Sequence, residues 1–190
     1  MNKLLYAALT AVALSQLQGC TAVAVGGAAV GASMATDRRT AGVYVSDQEI
    51  ELRAMENLGE AFKDKTESIS ATSYNRQLLL TGQVKDEATR SRATEVVKTI
   101  PDVRTVFNEL AVSGVTSFTT DASDATITSN VKALLLQDDR SPGTKIKVVT
   151  EAGVVYLMGL VTQAEAAAAT EITRKASGVT KVVTLFEFIN

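Results

Sequence analysis

The sequence predicts an α+β protein built from two tandem copies of one α-β-β-α-β unit, each with two helices packed on one face of a three-stranded mixed sheet. Three observations predict it. First, the pattern beginning at Asp47 returns 77 residues on: Asp47, Ile50, Leu58, Ile69, Leu80, Gly82 and Val84 recur as Asp124, Ile127, Leu135, Ile146, Leu157, Gly159 and Val161. One residue then drops out, and Ala93, Val96, Val103 and Val106 recur as Ala169, Ile172, Val179 and Val182. Self-similarity of this regularity marks a duplicated structural unit. Second, within each copy the apolar period passes from helix to strand, back to helix and back to strand. Third, a helix separates the second and third strands, which is the connection that parallel neighbours need, and helices gathered on one sheet face define the α+β class.

The N-terminus reads as an address. Lys3 precedes an uncharged apolar run from Leu4 to Leu14, too short for a bilayer that needs ~20 residues and suited to a signal peptide over residues 1–19. The run is followed by Leu17-Gln18-Gly19-Cys20, which holds the only Cys of the chain. This resembles the bacterial lipobox. The resemblance implies a diacylglyceryl group on the Cys20 thiol, cleavage before Cys20 and acylation, with palmitate-type chains, of the new amino group. Thr21 stands where inner-membrane retention would call for Asp, which implies the outer membrane. Residues 20–46 then form a lipidated tether. Its uncharged stretch TAVAVGGAAVGASMAT contains a Gly27-x-x-x-Gly31 spacing of the kind used by paired transmembrane helices, but it is short and its glycines disfavour helix.

The first unit is expected over residues 47–113, a linker over 114–123 and the second unit over 124–190. Asp47 and Asp124 are candidate helix N-caps. Ile50, Ala54, Leu58 and Ala61 make one apolar helical stripe, and Ile127, Val131, Leu134 and Leu135 the other. Two strands follow in each copy. In the first, Leu78, Leu80, Gly82 and Val84 share one face at period two. The missing side chains at Gly82 and Gly159 suggest that a helix approaches closely there. A second helix carries Ala93, Val96, Val97 and Ile100, matched by Ala169, Ile172, Thr173 and Ala176. The last strands are expected at Val103–Val112 and Val179–Ile189. Units of this size have small cores, so docking of the two copies would help both.

Composition removes several kinds of chemistry. With no His and one Cys, a His/Cys zinc site and a His-based triad are excluded, and no cofactor or metal is expected. Lys and Arg number 19 against 21 Asp and Glu, without the basic excess of a nucleic-acid binder. Ser129-Asn130-Val131-Lys132 matches a Ser-x-x-Lys, but the partner motifs of penicillin-recognising enzymes are absent, leaving two polar residues on a helix face. Glu49, Glu51, Glu56 and Glu60 read as a solvated face.

The pattern of Ile69, then Leu78-Leu79-Leu80-Thr81-Gly82-Gln83-Val84, and again Ile146, then Val155-Tyr156-Leu157-Met158-Gly159-Leu160-Val161, resembles the BON domain. A lipobox followed by two such domains resembles the dual-BON outer-membrane lipoproteins of Gram-negative bacteria. The resemblance implies a non-enzymatic protein on the periplasmic leaflet of the outer membrane, binding phospholipid and supporting envelope integrity. The competing expectation is an adaptor or chaperone-like accessory that binds outer-membrane assembly proteins. The charges separate the copies: residues 47–113 hold 12 acids and 9 bases, residues 124–190 hold 7 of each. Anionic lipid repels the first copy more, so the second is the expected lipid-docking domain, with Lys132, Arg140, Lys145 and Lys147 as its cations. On a helical wheel Leu136 falls opposite the core stripe, with Thr126, Ser129, Lys132 and Ala133 on its side and Arg140 just beyond. The expectation is that this face meets anionic phospholipid, with Leu136 entering the acyl boundary.

Overall fold

The computed structural model describes residues 37–63, 68–113 and 121–190, of which residues 38–190 form one compact unit. The first repeat comprises α1 (Ala41–Ala61), β1 (Ser68–Tyr74), β2 (Gln77–Val84), α2 (Glu87–Lys98), β3 (Thr105–Asn108) and β4 (Ala111–Val112). The second comprises α3 (Asp121–Gln137), a short 3-10 turn (Gly143–Lys145), β5 (Ile146–Glu151), β6 (Val154–Val161), α4 (Gln163–Arg174) and β7 (Lys181–Phe188). In each, the first strand runs antiparallel to the central one and the last runs parallel to it, the mixed three-stranded pattern the element order predicts.

The helices cover one face of each sheet. Ile50, Ala54 and Leu58 of α1 close over Leu78, Leu80 and Val84, together with Ala93, Val97 and Ile100. Ile127, Val131 and Leu135 of α3 close over Val155, Leu157 and Val161, together with Ala169 and Ile172. Leu134 departs from the expected stripe and is 37 % exposed. It lies at the margin of the helix–sheet contact, beside Ile172 and the loop of Asp138–Arg140, where a cavity of about 530 Å³ remains.

The opposite faces of the two sheets meet each other. Tyr74 and Leu79 from the first repeat pack with Tyr156, Met158 and Leu185 from the second, flanked by Phe107, Val149 and Leu160. This is why β6 is apolar on both faces, as strands covered on both sides are, and why Leu79 stands among Gln77, Thr81 and Gln83 on the second face of β2. Burial pushes the Tyr156 hydroxyl pKa up to about 12. Polar contacts rim this seam. Lys147 Nζ reaches Glu51 at 2.6 Å and the Ser73 carbonyl at 3.3 Å, Asn75 donates to Glu187 at 2.9 Å, and the Tyr74 hydroxyl donates to the Lys145 carbonyl at 3.2 Å. Arg38 grips Glu165 through two 2.7 Å bonds and the Leu160 carbonyl through a third.

Three expectations are corrected. The helices begin earlier than Asp47 and Asp124. Thr40 caps α1, its hydroxyl accepting from the Val43 amide, and α3 starts at Asp121, so each helix takes the last residues assigned to the tether or linker. Asp47 is instead fully buried on the inner face of α1. Its carboxylate accepts from Ser73 Oγ, the amides of Asn75 and Arg76, and Arg39, all within 2.8 Å. Asn75 and Arg76 both have positive φ, the primed hairpin turn whose outward amides need an acceptor. Asp124 does the same for Ala152 and Gly153.

The second correction concerns the last strand of the first repeat, which is not continuous over Val103–Val112. Asn108 accepts from the Leu110 amide and donates to the Arg90 carbonyl and Thr94 Oγ1. These bonds turn the chain so that Leu110 drops into the core at 3 % exposure, and β4 resumes beyond it. The third concerns the glycines, where the close approach comes from backbone and not from a helix. Gly82 pairs with Ile69 across the ladder and has φ +116°, and a Cβ there would collide with the Ser68 carbonyl oxygen. Gly159 has no positive φ, and its Cβ would stand 3.0 Å from the Lys145 carbonyl oxygen. Gly82→Ala is therefore expected to cost about 1–3 kcal/mol, and Gly159→Ala less than half as much. Equal melting temperatures for the two variants would contradict this account.

Candidate functional site on the outer face of α3

The helix α3 lies over its sheet through Ile127, Val131 and Leu135 and turns its other side outward. Thr126, Ser129, Lys132, Ala133 and Leu136 are all exposed on that side, Leu136 at 61 %. The Ser129 hydroxyl is satisfied within the helix, donating to the Ala125 carbonyl at 2.9 Å. No ion pair engages Lys132 among the described residues. An uncommitted ammonium one turn from an exposed Leu, between small residues, can meet an anionic oxygen while the Leu meets hydrocarbon.

Two of the expected cations are placed differently. Arg140 follows the end of α3 and is held by its own neighbours. It contacts Asp138 through both carboxylate oxygens, at 2.8 and 3.0 Å, and Glu171 at 3.4 Å. The Arg140 side chain holds the Asp138 carboxyl down at about 2, while the Asp138 carboxylate pushes the guanidinium pKa up. Glu171 is also lowered, chiefly by its hydrogen bond from Lys175. Asp138 and Glu171 already offset the charge that Arg140 would offer a phosphate, so Lys132 is the better-placed cation. Lys147 sits in the seam against Glu51 and does not face outward with α3. Sequence periodicity cannot reveal these commitments, because the acids that make them come from a loop, another helix and the other repeat.

Cys20 lies outside the described residues. Among the described residues, no group of His, Cys, Asp and Glu is placed to hold a metal ion, and no helix is long and apolar enough to cross a membrane.

With two α-β-β-α-β sandwiches and their shared glycine positions in view, comparison with known proteins assigns the family. Residues 46–114 and 123–190 each match the BON domain, and the chain belongs to the BON-domain family. Among its relatives, "Outer membrane lipoprotein DolP" of Haemophilus influenzae is 39 % identical over 175 residues, covering 92 % of this chain and 91 % of that one. The "21 kDa hemolysin" of Actinobacillus pleuropneumoniae is 31 % identical, with 80 % and 79 % covered. "Osmotically-inducible protein Y" of Escherichia coli K12 is 31 % identical, with 74 % and 72 % covered. The chain is thus an outer-membrane lipoprotein carrying two BON domains.

Proposed function

We propose that this protein is a non-enzymatic, lipid-anchored module, acylated at Cys20 on the periplasmic leaflet, that docks the outer face of α3 on anionic phospholipid and supports outer-membrane integrity. The observation that carries the docking surface is that Leu136 and Lys132 are exposed together on one face, with no ion pair to Lys132 among the described residues. Each basic residue near an anionic surface contributes ~1 kcal/mol, and entry of one Leu side chain into the acyl boundary adds ~1.5–3 kcal/mol. Thr126, Ser129 and Ala133 are short enough to let the helix axis approach the headgroups. Arg140 contributes less, its charge already offset by Asp138 and Glu171.

The test is co-sedimentation of the non-acylated mature chain with phosphatidylglycerol-containing vesicles. Leu136→Glu is expected to weaken binding about tenfold or more with an unchanged circular dichroism spectrum, because the side chain lies outside the core. Lys132→Glu should weaken binding and flatten its salt dependence. Undiminished binding by Leu136→Glu would remove this face from the account.

A further inference from the structure

Over their first helices the two repeats align at an offset of 77 residues, and the face equivalent to the α3 surface lies on α1. A shift of 77 residues maps Thr126, Ser129, Lys132, Ala133 and Leu136 onto Glu49, Leu52, Met55, Glu56 and Gly59. This α1 face is not the bland polar surface that its glutamates suggest. Val45, Leu52 and Met55 are 60 %, 71 % and 48 % exposed. At ~100° per residue they fall within about 80° of one another and centre roughly opposite Ala54, which is fully buried. Large apolar side chains are singly exposed on most proteins, but three on one helix face, with Leu52 and Met55 in adjacent turns, gather exposed apolar surface of the kind that marks interaction sites.

Its charge differs from that of α3. Where α3 carries Lys132, α1 carries Met55, and where α3 carries Thr126 and Ala133, α1 carries Glu49 and Glu56. Glu60 extends the acidic side. Glu49 is paired with Arg53 at 2.7 Å, whereas no ion pair engages Glu56 or Glu60 among the described residues. An anionic bilayer repels such a rim. A polypeptide surface with an apolar centre and Lys or Arg beside it complements it.

We propose that the outer face of α1, centred on Val45, Leu52 and Met55 and edged by Glu56 and Glu60, is a docking surface for a protein partner that presents an apolar patch rimmed by basic residues. Duplication thus yields one helix face suited to lipid and one suited to protein. The α1 surface does not depend on lipid binding by α3.

The probe is a Leu/Lys amphipathic peptide of about four helical turns, titrated into the non-acylated mature chain while backbone amide shifts are followed. Shifts are expected along Val45–Glu60. A Leu/Glu peptide of the same pattern should leave these amides unmoved. Leu52→Ser/Met55→Ser and Glu56→Lys/Glu60→Lys should each weaken binding tenfold or more with unchanged melting temperatures, since all four side chains are exposed. Three results would overturn the proposal. The first is a peptide that leaves α1 unmoved or binds with no preference between the two charges. The second is a shift of the same α1 amides by phosphatidylglycerol vesicles, which makes the face a membrane contact. The third is dimerisation through this face, shown by a concentration-dependent mass that Leu52→Ser/Met55→Ser abolishes.

Discussion

Asp47→Ala is expected to lower the unfolding free energy by about 3–5 kcal/mol, the usual result of removing one partner from a buried ion pair. The carboxylate is fully buried and Arg39, its partner at 2.7 Å, is only 7 % exposed. Arg39 also lies over the rings of Tyr44 and Tyr74, 5.0 and 4.0 Å from their centroids, which hold it beside the carboxylate. The amides of Asn75 and Arg76 and the Ser73 hydroxyl lose their acceptor as well. Because a domain has only ~5–15 kcal/mol in total, the variant should show a sharply lower urea midpoint. The double variant Asp47→Ala/Arg39→Met should recover only part of the loss, since removing the guanidinium does not give the turn amides back an acceptor. Asp124→Ala removes the acceptor of two amides and should cost less, about 1–3 kcal/mol. A loss below ~1 kcal/mol for Asp47→Ala would mean that water replaces the carboxylate, and the staple between α1 and its hairpin would not be a main source of stability.

Asp47 also shows where sequence reading stops. Its repeat partner at Asp124, and its place ahead of an apolar stripe, fit a helix cap. Capping and turn-stapling draw on the same property, a short side chain with two acceptors, and sequence spacing does not say which backbone amides lack partners. The strands were more legible. Apolar period two around Gly82 and Gly159, with a helix before the last strand, led directly to a mixed sheet with parallel β2 and β3 and parallel β6 and β7.

The seam between the sheets was less visible. Leu79, Tyr156 and Met158 occupy the positions that should be solvated in an isolated sandwich, and only their apolar character hints that another sheet covers them. The outer helix faces were legible in part. Leu136 stood out because it opposes the stripe of its own helix. Val45 is obscured because α1 begins at Ala41, within the stretch that reads as tether. The commitments of Arg140 and Lys147 are tertiary and follow from where Asp138, Glu171 and Glu51 come to lie.

Cys20→Ala carries the largest expected effect on location. In the proposed anchor three acyl chains act together, and each buried methylene contributes ~0.8 kcal/mol, so two or more chains hold firmly where a single one binds reversibly. Without them, attachment would fall to whatever the folded unit supplies. No helix among the described residues can span a bilayer, and the α3 face offers one strongly exposed Leu and one exposed Lys. That is a weak and salt-sensitive hold. In cells expressing the variant, the membrane-bound mature form should disappear, replaced by unprocessed precursor or soluble chain, and labelling with radioactive palmitate should be lost. Adding Leu136→Glu to Cys20→Ala should then release the residual, salt-sensitive fraction, which separates the anchor from the docking face in one experiment. If Cys20→Ala still fractionates with outer membrane as a mature chain, another segment holds the protein there, and the lipobox resemblance at Leu17-Gln18-Gly19-Cys20 has misassigned the anchor.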